Sequence, residues 1–285
     1  MLTAIRRSLA ALTLAAIVPS LLAAQETPRT LSALGDREPG EVRLRLTPEQ
    51  LASTGTPGIA GEDAAEVGVR LSETGSGVEG DFKSALGRTA FRSLAMPDGR
   101  VRVELDLPDG RGTLSLLVDL VGRTAETSYP EGARLTPADR FVFRSLAITL
   151  DRELANASPE ADLLLRVARL WGDHPLQPVR LGRIEAPREK SWTNLCGVTS
   201  ARLAHDGSGH GLIAETLATG PKAYNCRSRC GAGCDALVGT SAWTVDCGEH
   251  DRCEQHHSCC TSCQDEFNSA SDDYVFASNC RLSGW

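Results

Sequence analysis

The chain has 285 residues, 24% of them charged, and a formal net charge of −7, so no basic nucleic-acid-binding stripe is expected. All ten cysteines lie between Cys196 and Cys280. That distribution separates a cysteine-free part, which needs an ordinary hydrophobic core, from a part that disulfides can staple.

Residues 1–24 read as a secretory signal peptide. Arg6 and Arg7 precede the apolar run 9–24, and Ala23 and Ala24 offer small residues for cleavage before Gln25. The run is short for a membrane span, which takes about 20 residues, and no cysteine lies near the cleavage point to carry a lipid. Cleavage removes Arg6 and Arg7 and no acid, taking the charge from −7 to −9. A secreted, extracellular location follows, and the even number of cysteines permits a full set of bridges.

Residues 25–187 are expected to form a β-rich domain. Apolar and polar residues alternate at strand period over 41–46, 66–71, 100–107 and 113–120. Breaks rich in glycine and proline fall at 56–61, 75–80 and 108–112. The run 141–150 reads as a further strand, whereas 159–170 has helical spacing through Ala161, Leu164, Leu165 and Ala168 and an acidic start at Glu160 and Asp162. Asp173-His174 precedes Pro175 and is read as a loop. No repeat or cofactor motif occurs here; the domain is expected to be structural, to bind a surface or partner, or to cover the rest of the chain as a pro-region does.

A boundary is expected at 185–195, where Pro187 and the run Arg188-Glu189-Lys190 interrupt the pattern, leaving 188–285 as a cysteine-rich, mainly α domain. Residues 192–203 could include a short helix. The run from His205 to His210 reads as a glycine-rich turn, and 211–217 as a short ordered element.

Next comes Cys226-Arg227-Ser228-Arg229-Cys230-Gly231-Ala232-Gly233-Cys234, too glycine-rich for a regular strand. Glycines let backbone approach a ligand closely, and several carbonyls can turn to one point, as a hard cation such as Ca²⁺ requires. Two antiparallel helices follow, over 241–257 and 265–279, with a cysteine-rich turn at 258–263 between them. The first carries Cys247-Gly248-Glu249-His250-Asp251-Arg252-Cys253. Adjacent helical side chains diverge by about 100°, so His250 and Asp251 serve different partners. For a pair folded about residue 261, position 250 lies opposite roughly 272, and Asp272 or Asp273 can meet His250. His250 can take a proton from water while that aspartate fixes its tautomer; Asp251 can offer a carboxylate oxygen to Ca²⁺. A glycine-flanked serine elbow is absent.

At these residues the chain resembles the secreted phospholipase A2 superfamily, which joins a Cys-Gly-x-Gly calcium loop to a Cys-x-x-His-Asp-x-Cys helix and then to an antiparallel helix bearing an orienting aspartate. The resemblance covers 222–285 and is closest in character to compact microbial members. It implies a phospholipase A2-like fold and calcium-dependent hydrolysis of the sn-2 ester of glycerophospholipids at a membrane or micelle interface. It also implies His250 as general base, backbone carbonyls of Arg229, Gly231 and Gly233 with the Asp251 side chain as Ca²⁺ ligands, the Gly231 N–H toward the oxyanion, and a Cys230–Cys247 bridge. Asp273 is chosen as orienting carboxylate because Ala270, Asp273, Phe276 and Ala277 share a helix face, and because microbial members often place an aromatic residue three positions later. The chain departs from animal members in having Asp246 before Cys247 and Asp272 before Asp273.

Three alternatives stand beside this reading: a non-catalytic, toxin-like or binding module that retains the scaffold; a zinc site drawn from His250, Cys253, His256, His257, Cys259, Cys260 and Cys263; and a Cys253 nucleophile. Oxidation in an exported chain argues against the last two. Trp192, Trp243 and Trp285 are read as packing residues or interfacial anchors.

Overall fold

Two-residue alternation builds the sheet. Val101, Val103 and Leu105, then Leu114, Leu116 and Val118 across a tight connection, all turn to the core, while Arg102, Glu104 and Asp106 turn away. The computed structural model describes residues 41–46, 66–74, 77–154, 158–186, 194–207, 211–223, 226–231, 241–257 and 263–280. The signal segment, Gly233, Trp192, Trp285 and the turn at 258–262 lie outside the described residues.

Among the described residues, eight strands form one antiparallel meander in chain order: β1 (Glu41–Arg45), β2 (Glu66–Thr74), β3 (Gly77–Ser84), β4 (Gly87–Ala95), β5 (Val101–Asp106), β6 (Thr113–Asp119), β7 (Thr124–Ser128) and β8 (Ile184–Glu185). Register aligns Leu71, Gly80, Phe91, Leu105 and Leu114 in one row across five strands. A Cβ on Gly80 would meet the Arg70 carbonyl oxygen at 1.9 Å and the Phe91 ring at 2.7 Å, so the glycine makes room for both. The expected break at 75–80 therefore overlaps the start of β3, and β3, β4 and β7 are strands that periodicity did not single out.

Residues 141–150 are helical rather than extended. They lie inside α1 (Pro137–Leu154), and every one of them is buried. An element enclosed on all sides has no polar stripe, so its sequence carries no period to separate helix from strand. The start signal is local: the Thr136 N–H donates to Asp139 Oδ2 at 2.7 Å, and the Asp139 N–H donates back to the Thr136 hydroxyl at 3.2 Å. The second helix, α2 (Pro159–Asp173), begins as expected, with the Ser158 Oγ accepting from the Ala161 N–H and Pro159 in the first turn. The α1–α2 hairpin is inserted between β7 and β8 and packs on the core face of the sheet.

The cysteine-rich part begins with another correction. Residues 192–203 include no helix among the described residues; instead β9 (Ser200–Gly207) pairs antiparallel with β10 (Gly211–Ala218). Two helices follow, α3 (Val245–His257) and α4 (Gln264–Phe276). Disulfides join Cys196 to Cys280, Cys230 to Cys247 and Cys253 to Cys263. No cysteine among the described residues is free, and Cys253 and Cys263, bonded to each other, offer neither a thiolate for zinc nor a nucleophile.

The architecture is thus a β-sheet region with two helices plus a disulfide-rich, helix-containing C-terminal region. One hydrophobic core crosses between them, from Val69 and Phe82 through Leu164 and Trp171 to Phe267 and Tyr274. Charged groups reinforce the junction. Arg166 of α2 donates to the carbonyls of Tyr274 and Ala277 at the end of α4, a favourable place for a cation. Asp151 of α1 pairs with Arg169 of α2 and with Arg229 of the glycine loop. No helix among the described residues is long and apolar enough to cross a membrane.

Candidate active site

The Cys253–Cys263 bridge sets the register of α3 against α4. With Cys253 bonded to Cys263, the midpoint of the paired positions falls about three positions before the expected centre at 261. Partners across an antiparallel pair shift by twice that amount. His250 consequently meets the Phe267 ring, with centroids 5.4 Å apart. Asp273 is carried back to the first turn of α3, where one carboxylate oxygen each from Asp246, Asp272 and Asp273 lie within 4.8 Å of one another.

Neither ring nitrogen of His250 has a hydrogen-bond partner, although the residue is only 1% exposed. The structure therefore does not join His250 to Asp273 or Asp272 by a hydrogen bond. What surrounds the imidazole comes from α1, α2, α3 and α4. Glu254 lies one turn along α3, its carboxylate 3.9 Å from His250 Nε2. Arg140 and Arg144 of α1 both pair with Glu254. Arg144 Nε also donates to Asp173 at 2.8 Å, and Asp173 accepts at 2.7 Å from the Tyr274 hydroxyl.

The electrostatics follow from this packing. Burial, above all, lowers the pKa of His250, and the field of Arg140 and Arg144 adds to that, while Glu254 and Asp173 work the other way. Burial acts to raise Glu254, but Arg140 and Arg144 outweigh it and bring the carboxyl down to about 2. His174, fully buried beside Trp171 and Phe267, is pushed down to about 4 mainly by desolvation. Its Nδ1 lies 2.7 Å from the Pro175 carbonyl, which selects the tautomer that donates from Nδ1.

Asp251 leaves α3 in a different direction. Its Oδ2 accepts from the Ser228 N–H at 2.8 Å, which ties the helix to the glycine loop. The Cys230–Cys247 bridge makes the second tie, with Cα atoms 5.2 Å apart. Burial and the nearby Asp173 push the Asp251 carboxyl well above the usual carboxylate range, against the opposing Ser228 bond.

Loop geometry is set by the short pairing of Arg229 with Trp243. The bonds are made by flanking residues: the Cys230 N–H donates to the Ala242 carbonyl and the Thr244 N–H to the Ser228 carbonyl. The Arg229 carbonyl takes no part in that bridge. Its side chain turns to Ser241 and Asp151, and Trp243 is buried packing. Gly231 has φ of +121°, and a Cβ there would meet Arg169 Cδ at 2.5 Å; glycine alone fits both the backbone and the space. A partly buried carboxylate tied to the glycine loop offers the kind of oxygen donor that a hard cation takes.

Sequence reasoning reached His250, Asp251, Arg229 and Gly231, and it missed Asp173, His174, Glu254, Arg140 and Arg144. Of the expected Asp173-His174 loop, Asp173 is the last residue of α2 and His174 lies just beyond it, and both are buried. The available signal was Arg140 and Arg144 at i,i+4 spacing in an otherwise apolar run, a pair that requires buried acids nearby.

A family model described as a domain of unknown function (DUF8213) matches residues 179–283. No curated protein and no solved structure matches the chain. The similarity to DUF8213 spans the β9–β10 hairpin, the glycine loop and both cysteine-rich helices.

Proposed function

We propose that this chain is a secreted, calcium-dependent phospholipase A2 that hydrolyses the sn-2 ester of glycerophospholipids with a water activated by His250. The observation that carries the reading is the double tie between glycine loop and helix: the Cys230–Cys247 bridge and the 2.8 Å bond from the Ser228 N–H to Asp251. Together they hold the Asp251 carboxylate beside the glycine loop, while the adjacent His250 is buried.

In this reading Asp251 and the carbonyls of Arg229, Gly231 and Gly233 hold calcium. Calcium bound there supplies positive charge to the ester carbonyl oxygen and to the oxyanion. His250, its pKa lowered chiefly by burial, is neutral at neutral pH and accepts the proton of the attacking water. Its two unpartnered nitrogens leave one for that water and one for a carboxylate. Asp173 and Glu254 stabilise the imidazolium that forms, a role the sequence reading had given to Asp273. The partner is a membrane or micelle surface.

Burial of His250 to 1% exposure favours a second reading, a non-catalytic binding module that retains the scaffold. Mass-spectrometric analysis of products from phosphatidylcholine micelles, with Ca²⁺ or with chelator, separates the two. Calcium-dependent release of sn-2 fatty acid by the full chain, lost in His250→Gln, is the expected result. Lipid binding without release would support the module instead.

A further inference from the structure

We propose that His205, Glu215 and His256 form a zinc site that pins the β9–β10 hairpin to α3, independently of the calcium chemistry above. Strand register brings the first two together. His205 pairs with Ile213 and Leu203 with Glu215, so His205 and Glu215 are diagonal neighbours on one face of the hairpin. That face lies against α3, whose last turn carries His256.

One ligand atom from each residue falls within a 4.8 Å triangle. His205 Nε2 is 3.4 Å and His256 Nε2 is 3.9 Å from the same Glu215 oxygen. Ligand atoms about 2.0–2.1 Å from a tetrahedral zinc stand about 3.3 Å apart, so the site needs a contraction of an ångström or so. His256 can supply it. Its side chain is 38% exposed, whereas His205 is fully buried and already fixed. The two imidazoles are stacked at a 4.7 Å centroid distance, so metal binding requires the His256 ring to turn out of the stack toward the ion.

The donor set selects the ion. Two imidazoles and one carboxylate suit zinc and its transition-metal neighbours rather than calcium, which takes oxygen ligands. Arg252 Nε donates to Glu215 at 2.6 Å, which uses part of the carboxylate but also orients it. A carboxylate has lone pairs enough for both, and outer partners of this kind are usual at metal sites. Partial exposure of Glu215 and His256 leaves a fourth position open to water.

A structural purpose follows from the fold. A two-stranded hairpin is marginal by itself. The hairpin is tied to α3 by the Ala204 N–H to Glu249 bond and by the Arg252–Glu215 pair, and a zinc ion would lock the same seam.

The test uses the full chain with disulfides intact, stripped by chelator. Titration with Zn²⁺ should give one ion per chain, and Co²⁺ should give the visible absorption of a tetrahedral site. In His256→Ala and Glu215→Gln, zinc affinity should fall by more than the about 10- to 100-fold typical of losing an outer-shell partner, and the cobalt absorption should vanish. Because His256 is half-exposed, thermal unfolding of metal-free His256→Ala should match that of the metal-free parent. Failure of the parent to take up zinc at micromolar free ion, or an unchanged cobalt spectrum in both variants, would overturn the site.

Discussion

The Tyr274 hydroxyl donates a 2.7 Å hydrogen bond to the Asp173 carboxylate, joining the last helix of the cysteine-rich part to the second helix of the N-terminal part. Arg144 holds the same carboxylate from α1. Three helices, two of them from the cysteine-free part, therefore meet at one buried acid beside His250. The N-terminal region is built into the surroundings of the candidate site.

Removing either end of this contact should destabilise the chain unequally. Tyr274→Phe deletes one hydrogen bond to a charged acceptor and should cost about 1.5–3 kcal/mol. Asp173→Asn leaves the Arg144 guanidinium buried without that counter-charge and should cost about 3–5 kcal/mol. Denaturant unfolding with the disulfides kept oxidised measures both, and equal losses would contradict the geometry. Comparing phospholipid hydrolysis by Asp173→Asn and Asp273→Asn then identifies which carboxylate supports His250.

Under the phospholipase reading, His250→Gln should lower turnover by about 10²–10⁴-fold, the span typical of losing a general base, with calcium affinity retained. Asp251→Asn should weaken calcium binding and turnover together. Normal turnover in His250→Gln rejects the base, and unaltered calcium affinity in Asp251→Asn rejects the ligand.

Titration of His174 should take stability from the chain as pH drops from about 6.5 toward 4, while Asp251, whose carboxyl burial raises, acts with the opposite sign. His174 titrates near its ordinary value of 6.5 when unfolded but near 4 when folded, so between those values the unfolded chain binds more protons and is favoured. His250, also lowered, contributes with the same sign. For His174 the effect amounts to about 3 kcal/mol over the full window. Equilibrium unfolding of the parent and of His174→Gln at pH 7 and pH 4.5 checks this: the parent should lose more stability between the two, and parallel losses would remove His174 as the cause.

Opening the Cys230–Cys247 bridge should act on both fold and site. A 17-residue separation corresponds to about 3 kcal/mol in the chain-entropy model. The double replacement Cys230→Ser with Cys247→Ser should also free the loop from α3 and weaken calcium binding, leaving the Ser228–Asp251 bond as the described hydrogen bond between Asp251 and the loop. Calorimetric calcium titration of the folded variant reads the second effect; an unchanged affinity would mean the bridge is not what positions the loop.

How much was legible depends on the range over which each residue's partner is chosen. The alternation read over 100–107 and 113–120 and the helical spacing of 159–170 with its acidic start are local, and the structure carries them in β5, β6 and α2. The helical state of 141–150 was hidden because burial of every residue there erases periodicity. The His250–Asp273 pairing rested on an assumed fold-back centre, and one disulfide moved that centre by about three residues, which shifts every cross-helix partner.

By itself, the amino-acid order determined where chemistry is concentrated: a glycine loop and a His-Asp pair in a cysteine frame, with side chains that diverge because adjacent helical positions must. Only the tertiary structure decided what they face. Asp173 and Arg144 reach His250 from helices more than 70 positions away, and His205 meets His256 across a hairpin and a helix. Such partners are selected by packing of distant elements into one core, and no local pattern of residues encodes that distance.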